Sequence, residues 1–280
     1  MYLGFMVEEV QSLGFVTDRE VFDFKDGQKG RFDDLTRYLI ACCETHDVID
    51  ADKVSSHLFP QKEEMIFLSH SHLDEDEVVK FSVNMQKKGV GVFVDSCVWG
   101  YFKDFLDVVN EKYSNPRDVN GVKTYSYNSV SQVAANVHVT LSLALQRMIN
   151  RTEVFLFLST DNSIPLRRYE LDDKTFSPWI ASELQFSAMV QTQTPKRRRR
   201  MVAEAQDRGL DSSLEHYSKE MRMAFNAHVD HLPSVDGGDL ASWFNADSNR
   251  GERLLDSMYD KFDLEQRFIS LRYSALLSMV

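Results

Sequence analysis

The chain has 280 residues, with 32 Lys or Arg against 43 Asp or Glu, and a formal net charge of −11. That balance repels phosphate backbones and anionic lipid surfaces at long range, which argues against a general nucleic-acid or membrane-surface binder. With 43% hydrophobic residues, 12 Gly and 6 Pro, the composition is that of a folded globule, and no apolar stretch approaches the ~20 residues of a membrane span. The opening residues carry no basic segment ahead of an apolar one, so no export signal is expected. Cys42, Cys43 and Cys97 are too few for a disulfide framework and read as small buried hydrophobes. A cytoplasmic setting fits best.

Residues 1–62 show helical rather than alternating spacing, as where Phe32, Leu35 and Leu39 share a face, and read as a mostly helical extension. Residues 65–70 form a short apolar run expected as the first sheet strand. Asp74 and Glu77 mark a helix start and Lys87, Lys88 and Gly89 its end, with Val78, Phe81 and Met85 facing inward. Residues 90–95 give a second strand with Asp95 at its end. Strand, helix, strand predicts a right-handed parallel unit.

Residues 114–132, which hold Asn115-Pro116 and Asn120-Gly121, read as a surface insertion. Helical spacing resumes over 133–150, and 153–159 is the most apolar strand and the expected centre of the sheet. A charged loop follows over 161–175. Ser177 as cap and Pro178 as first helical residue then open a helix. The basic run from Lys196 to Arg200 reads as an exposed helix start or loop. Beyond it the pattern is mostly helical over 196–280, with a strand near 223–229 and a turn at 236–239.

Between Lys174 and Lys196 the only ionisable side chain is Glu183, set among Trp179, Ile180, Leu184, Phe186, Met189 and Val190. An ionised carboxylate on such a face costs several kcal/mol unless it is paired or sits in a pocket that substrate fills. Spacing alone leaves both a structural and a functional Glu183 open. Trp179 reads as a core anchor beneath the site, while Trp99 either stacks on a base or simply packs. His70 and His72 point the same way if the strand persists, but no zinc-spaced cluster accompanies them, so no metal site is expected. No Gly-x-Gly-x-x-Gly opens a helix, which leaves Rossmann-type cofactor binding without support.

Ile66-Phe67-Leu68-Ser69-His70-Ser71 before a capped helix, Val92-Phe93-Val94-Asp95 with Trp99-Gly100 behind it, and Phe157-Leu158-Ser159 stand in order along the chain. With Ser177-Pro178-Trp179-Ile180-Ala181-Ser182-Glu183-Leu184 they resemble the landmarks of a Toll/interleukin-1 receptor (TIR) domain, over about residues 63–195. The resemblance implies a flavodoxin-like TIR fold: an α/β protein whose parallel sheet is flanked by helices, with helical extensions and the site at the carboxyl ends of the strands.

In the bacterial NAD-cleaving branch of that family, the glutamate of the Ser-x-Trp-x-x-x-Glu-Leu motif is catalytic, which here is Glu183. Ser69, His70, Ser71, His72, Asp95, Trp99, Gly100 and Trp179 are then the implied substrate-binding residues. The resemblance further implies NAD+ as substrate with no cofactor, and a product that is either ADP-ribose or cyclic. It also implies a role in antiviral defence, a homo-oligomer formed through the loop after the second strand, and room for a partner effector or sensor protein. That loop is enlarged here by an insertion near 102–132, which puts the assembly geometry in question. A non-catalytic TIR interaction module is the alternative. A phospho-receiver with Asp95 as acceptor lacks the lysine that should follow the strand at 154–158.

Overall fold

The computed structural model describes residues 1–9, 11–27, 37–38, 50, 53–54, 64–94, 102–165, 173–198 and 224–278. In chain order these give strand β1 (Leu3–Glu8), strand β2 (Ile66–Ser69), helix α1 (Glu75–Lys87), strand β3 (Val92–Val94) and helix α2 (Phe102–Tyr113). A hairpin of β4 (Arg117–Val119) and β5 (Val122–Thr124) leads into helix α3 (Tyr127–Arg151) and strand β6 (Val154–Ser159). Then come β7 (Lys174–Thr175), α4 (Pro178–Met189), β8 (Phe225–Asn226), β9 (Ser234–Asp236), α5 (Gly237–Ala246), α6 (Glu252–Phe262) and α7 (Leu264–Ser278).

Five of the strands form one parallel sheet in the order β3-β2-β6-β1-β9. The fold is therefore α/β and flavodoxin-like in its layering, a parallel sheet flanked by helices. β6 lies at the centre and is buried along its whole length, as its uninterrupted apolar run predicts. The Phe67 ring lies between Phe93 and Phe155, with centroids 5.4 and 5.8 Å away.

The order β3-β2-β6 follows the 2-1-3 start of a flavodoxin-like sheet, but the next position is held by β1, from the N-terminal segment. Residues 1–62 are thus more than a helical extension. β1 escapes the sequence pattern because it is buried on both sides and shows no alternation. Phe32, Leu35 and Leu39 lie outside the described residues, as do the three cysteines.

Helix α1 buries Val78, Phe81 and Met85 and ends before Gly89, whose φ of +79° is a left-handed stop that glycine adopts without penalty. The expected insertion is built from α2, the exposed β4–β5 hairpin and the first turns of α3. At 25 residues α3 spans ~37 Å, against ~20 Å for the six residues of β6. Only Thr152 and Glu153 separate the two, so the excess of α3 stands beyond the carboxyl edge of the sheet. Those projecting turns are polar and partly exposed, which is why apolar spacing starts only at Val133.

The turn expected at 236–239 is instead the start of α5, where Asp236 accepts a hydrogen bond from the Asp239 amide at 3.0 Å. Gly237 is required there, because a Cβ would lie 2.3 Å from the Glu9 carbonyl oxygen. The strand expected near 223–229 is β8, which pairs with β7.

The basic run is not simply exposed. Arg197 binds Glu153 and Asp256, and Arg198 binds Asp256, Asp260 and Glu265, with side chains only 22% and 19% exposed. Burial opposes the Arg197 charge, but its bonds to Glu153 and Asp256 outweigh that and hold its pKa above the ordinary value. Among the described residues, no helix is long and apolar enough to cross a membrane.

Candidate functional site

The connection from β2 leads through α1 to β3 on one side, whereas the connection from β6 leads through α4 toward β9 on the other. The carboxyl ends of β2 and β6 therefore flank the crevice where ligands bind in open α/β sheets. Ser69 ends β2 and Ser159 ends β6.

Helix α4 delivers Glu183 to this point. Ser177 caps it by accepting a hydrogen bond from the Ile180 amide at 3.3 Å, and Pro178 occupies its first turn, as the sequence predicts. Ser177 is itself held by its amide, which donates to Thr175 Oγ1 at 3.1 Å. Glu183 is buried, with 2% exposure, and Ser69 Oγ donates to its Oε2 at 2.6 Å. That length is typical of a hydroxyl bound to a carboxylate.

The other residues singled out after the first strand diverge. His70 is 3% exposed, and its Nδ1 lies 3.2 Å from the Leu68 carbonyl oxygen. A carbonyl only accepts, so in this bond Nδ1 carries a proton and donates. Ser71 Oγ accepts from the Leu73 amide at 3.4 Å and caps a short 3-10 turn over His72–Asp74. The His72 side chain is 72% exposed and faces Glu75 at 3.6 Å. The two histidines do not point the same way, because the strand stops at Ser69 and the chain coils. No group of three His, Cys, Asp or Glu side chains suited to a metal occurs among the described residues.

Trp179 is half-buried and stacks on His138 of α3, with centroids 5.3 Å apart and planes 9° from parallel. Its indole also packs against the edge of the hydrophobic core. Asp95, Trp99 and Gly100 lie outside the described residues.

Sequence reasoning missed a latch across the crevice. Asp74 stands at the start of α1, yet its carboxylate makes no cap bond. Its Oδ2 instead accepts from Thr160 Oγ1 and its Oδ1 from Asn162 Nδ2, both at 2.6 Å. The loop after β6 is set by Thr160 and Ser163, whose hydroxyl accepts from the Thr160 amide at 2.8 Å. A run of Ser, Thr, Asp and Asn directly after the most apolar strand was the available signal. Two surface depressions lie elsewhere, on the C-terminal helices around Trp243 and Phe262 and around Arg253 and Asp256.

Comparison of the chain with protein families, with curated proteins and with solved structures finds no match. The site is therefore read from its own geometry. Glu183 is a buried carboxylate that accepts from Ser69 at the carboxyl end of β2, the end of the sheet at which open α/β folds bind their ligands.

Proposed function

We propose that the chain is a TIR-like enzyme that cleaves the nicotinamide–ribose bond of NAD+, as a glycohydrolase or cyclase, with Glu183 as the catalytic carboxylate. The observation that supports this reading is the 2.6 Å bond from Ser69 to a buried Glu183 at the crevice, which fixes the carboxylate beside the carboxyl ends of β2 and β6. Nicotinamide departs as a good leaving group from a cationic precursor, so the protein has little bond chemistry to perform. It has to bind the ribose, tolerate an oxocarbenium-like transition state and control what attacks next.

Glu183 supplies the negative charge, and its effect grows as substrate displaces water from the apolar surroundings of α4. Attack by water gives ADP-ribose, whereas attack from the molecule's own adenine or ribose gives a cyclic product. The same reading includes a role in bacterial antiviral defence and a homo-oligomer formed through the loop after β3. The test is a mass-resolved assay of products from NAD+, wild type beside Glu183→Ala: nicotinamide release from the wild type alone supports the reading, and equal release from both overturns it.

A second reading, a non-catalytic TIR interaction module, is favoured by one observation: Ser69 and Glu183 are 0% and 2% exposed, as a purely structural tie would be. Under it, Glu183→Ala disturbs folding or association, and the wild type leaves NAD+ intact.

A further inference from the structure

The depression around Trp243 and Phe262, about 620 Å³ in volume, lies between α5 and the last turn of α6. That size falls within the ~300–1,000 Å³ typical of small-molecule sites. Asp239, Trp243 and Ala246 follow one another at helical spacing and present one face of α5 to it, while Lys261 and Phe262 border it from α6. Trp243 and Phe262 meet edge to face, with centroids 6.1 Å apart and planes 72° from parallel. The indole is fixed by its Nε1–H, which donates to Ser257 Oγ at 3.2 Å.

Two carboxylates line the same depression, Asp239 from the first turn of α5 and Asp247 from its end. Ser257 donates to Asp247 Oδ2, and the Asn249 amide donates to Asp247 Oδ1 at 2.6 Å. Burial opposes the Asp247 charge, but these bonds outweigh it and hold its pKa below the ordinary value. Asp239 is exposed, and among the described residues no hydrogen bond or ion pair occupies its carboxylate. The end of α5 already seats one ammonium against an aromatic ring: Lys88 Nζ lies 4.1 Å from the Phe244 centroid and donates to the Asp247 carbonyl oxygen at 2.6 Å. Lys261 is exposed and also borders the neighbouring depression, beside Asp256 and Asp260.

We propose that this depression binds a small organic ammonium, with its charge facing Asp239 and Asp247 and its apolar body against Trp243 and Phe262. The carboxylates and the negative faces of the rings both attract a cation, and the rings reward an apolar body that a metal ion lacks. An anion of the same shape meets two carboxylates instead. The inference goes beyond the reading of Glu183 and does not rest on it.

The test is a titration of the full chain at neutral pH with phenethylammonium, followed by ligand-detected NMR. Ethylammonium, which lacks the ring, and 3-phenylpropionate, which reverses the charge, are each expected to bind at least about fivefold more weakly. Asp239→Asn is expected to weaken phenethylammonium about fivefold, the upper range of one exposed charge pair. Phe262→Ala is expected to weaken it by a similar factor of about five. Lys261→Gln, which removes a competing cation, should bind it as tightly as the wild type or more so. Unchanged melting temperatures in Asp239→Asn and Lys261→Gln show that the fold is intact.

Binding of phenethylammonium that weakens in Asp239→Asn and follows both charge and ring supports the site, whether or not the protein cleaves NAD+. Wild-type protein that does not bind phenethylammonium, that binds 3-phenylpropionate as tightly, or that loses nothing in Asp239→Asn overturns it.

Discussion

Ser69 and Glu183, 114 residues apart in the chain, are joined by a hydrogen bond of 2.6 Å that ties the end of β2 to helix α4. Removing the hydroxyl leaves a buried carboxylate oxygen without that donor. Ser69→Ala is therefore expected to lower unfolding free energy by about 1–3 kcal/mol, read as a reduced midpoint in urea with an unchanged slope. Glu183→Gln keeps an acceptor of the same shape and should unfold nearer to wild type than Ser69→Ala does.

The latch makes a prediction about local opening. Asp74→Ala strips Thr160 and Asn162 of their shared acceptor. Amide exchange over 160–164 should accelerate, while the buried strand β6 keeps its protection. Equal exchange in wild type and variant would mean that the two bonds to Asp74 do not hold the loop.

Arg197 joins Glu153, just before the central strand, to Asp256 on α6 through four hydrogen bonds. Arg197→Ala leaves Glu153 without that cation and Asp256 with Arg198, and a loss of about 2 kcal/mol is expected in urea. The wild-type midpoint should also fall as salt rises from low concentration, and that dependence should be weaker in the variant.

His231 couples stability to pH. It is buried, with Nε2 2.9 Å from Ser187 Oγ, and burial together with the positive charge of Arg272 and His228 pushes its pKa down from 6.5 to about 3. As pH falls below 6.5 the unfolded chain takes up the proton first, so stability is complete above 6.5 and is lost progressively down to about 3. The slope from this residue reaches about 1.4 kcal/mol per pH unit. Urea midpoints measured from pH 7 to pH 4.5 should fall more steeply for wild type than for His231→Gln.

The elements legible in the sequence are those whose signal is local. β2 and β6 announce themselves as apolar runs, and α4 by Ser177 and Pro178. The isolation of Glu183 among apolar neighbours pointed to a buried carboxylate. What escaped depends on distant partners. β9 has three residues and becomes a strand by pairing with β1, and β1 has no alternation because both its faces are covered. The latch joins side chains 86 and 88 residues apart. Arg197 and Arg198 look like a solvated basic run until α6 brings Asp256 and Asp260 against them. His70 and His72 parted because periodicity cannot show where a strand ends.

The central claim, that Glu183 is the group that lets nicotinamide leave NAD+, is tested most directly by measuring nicotinamide release from concentrated wild-type protein and from Glu183→Gln, both shown to be folded by thermal melting. Release by the wild type and a loss of at least a hundredfold in the variant, at a comparable melting temperature, is the expected result. Release that is undiminished in Glu183→Gln, or absent from the wild type, would contradict it.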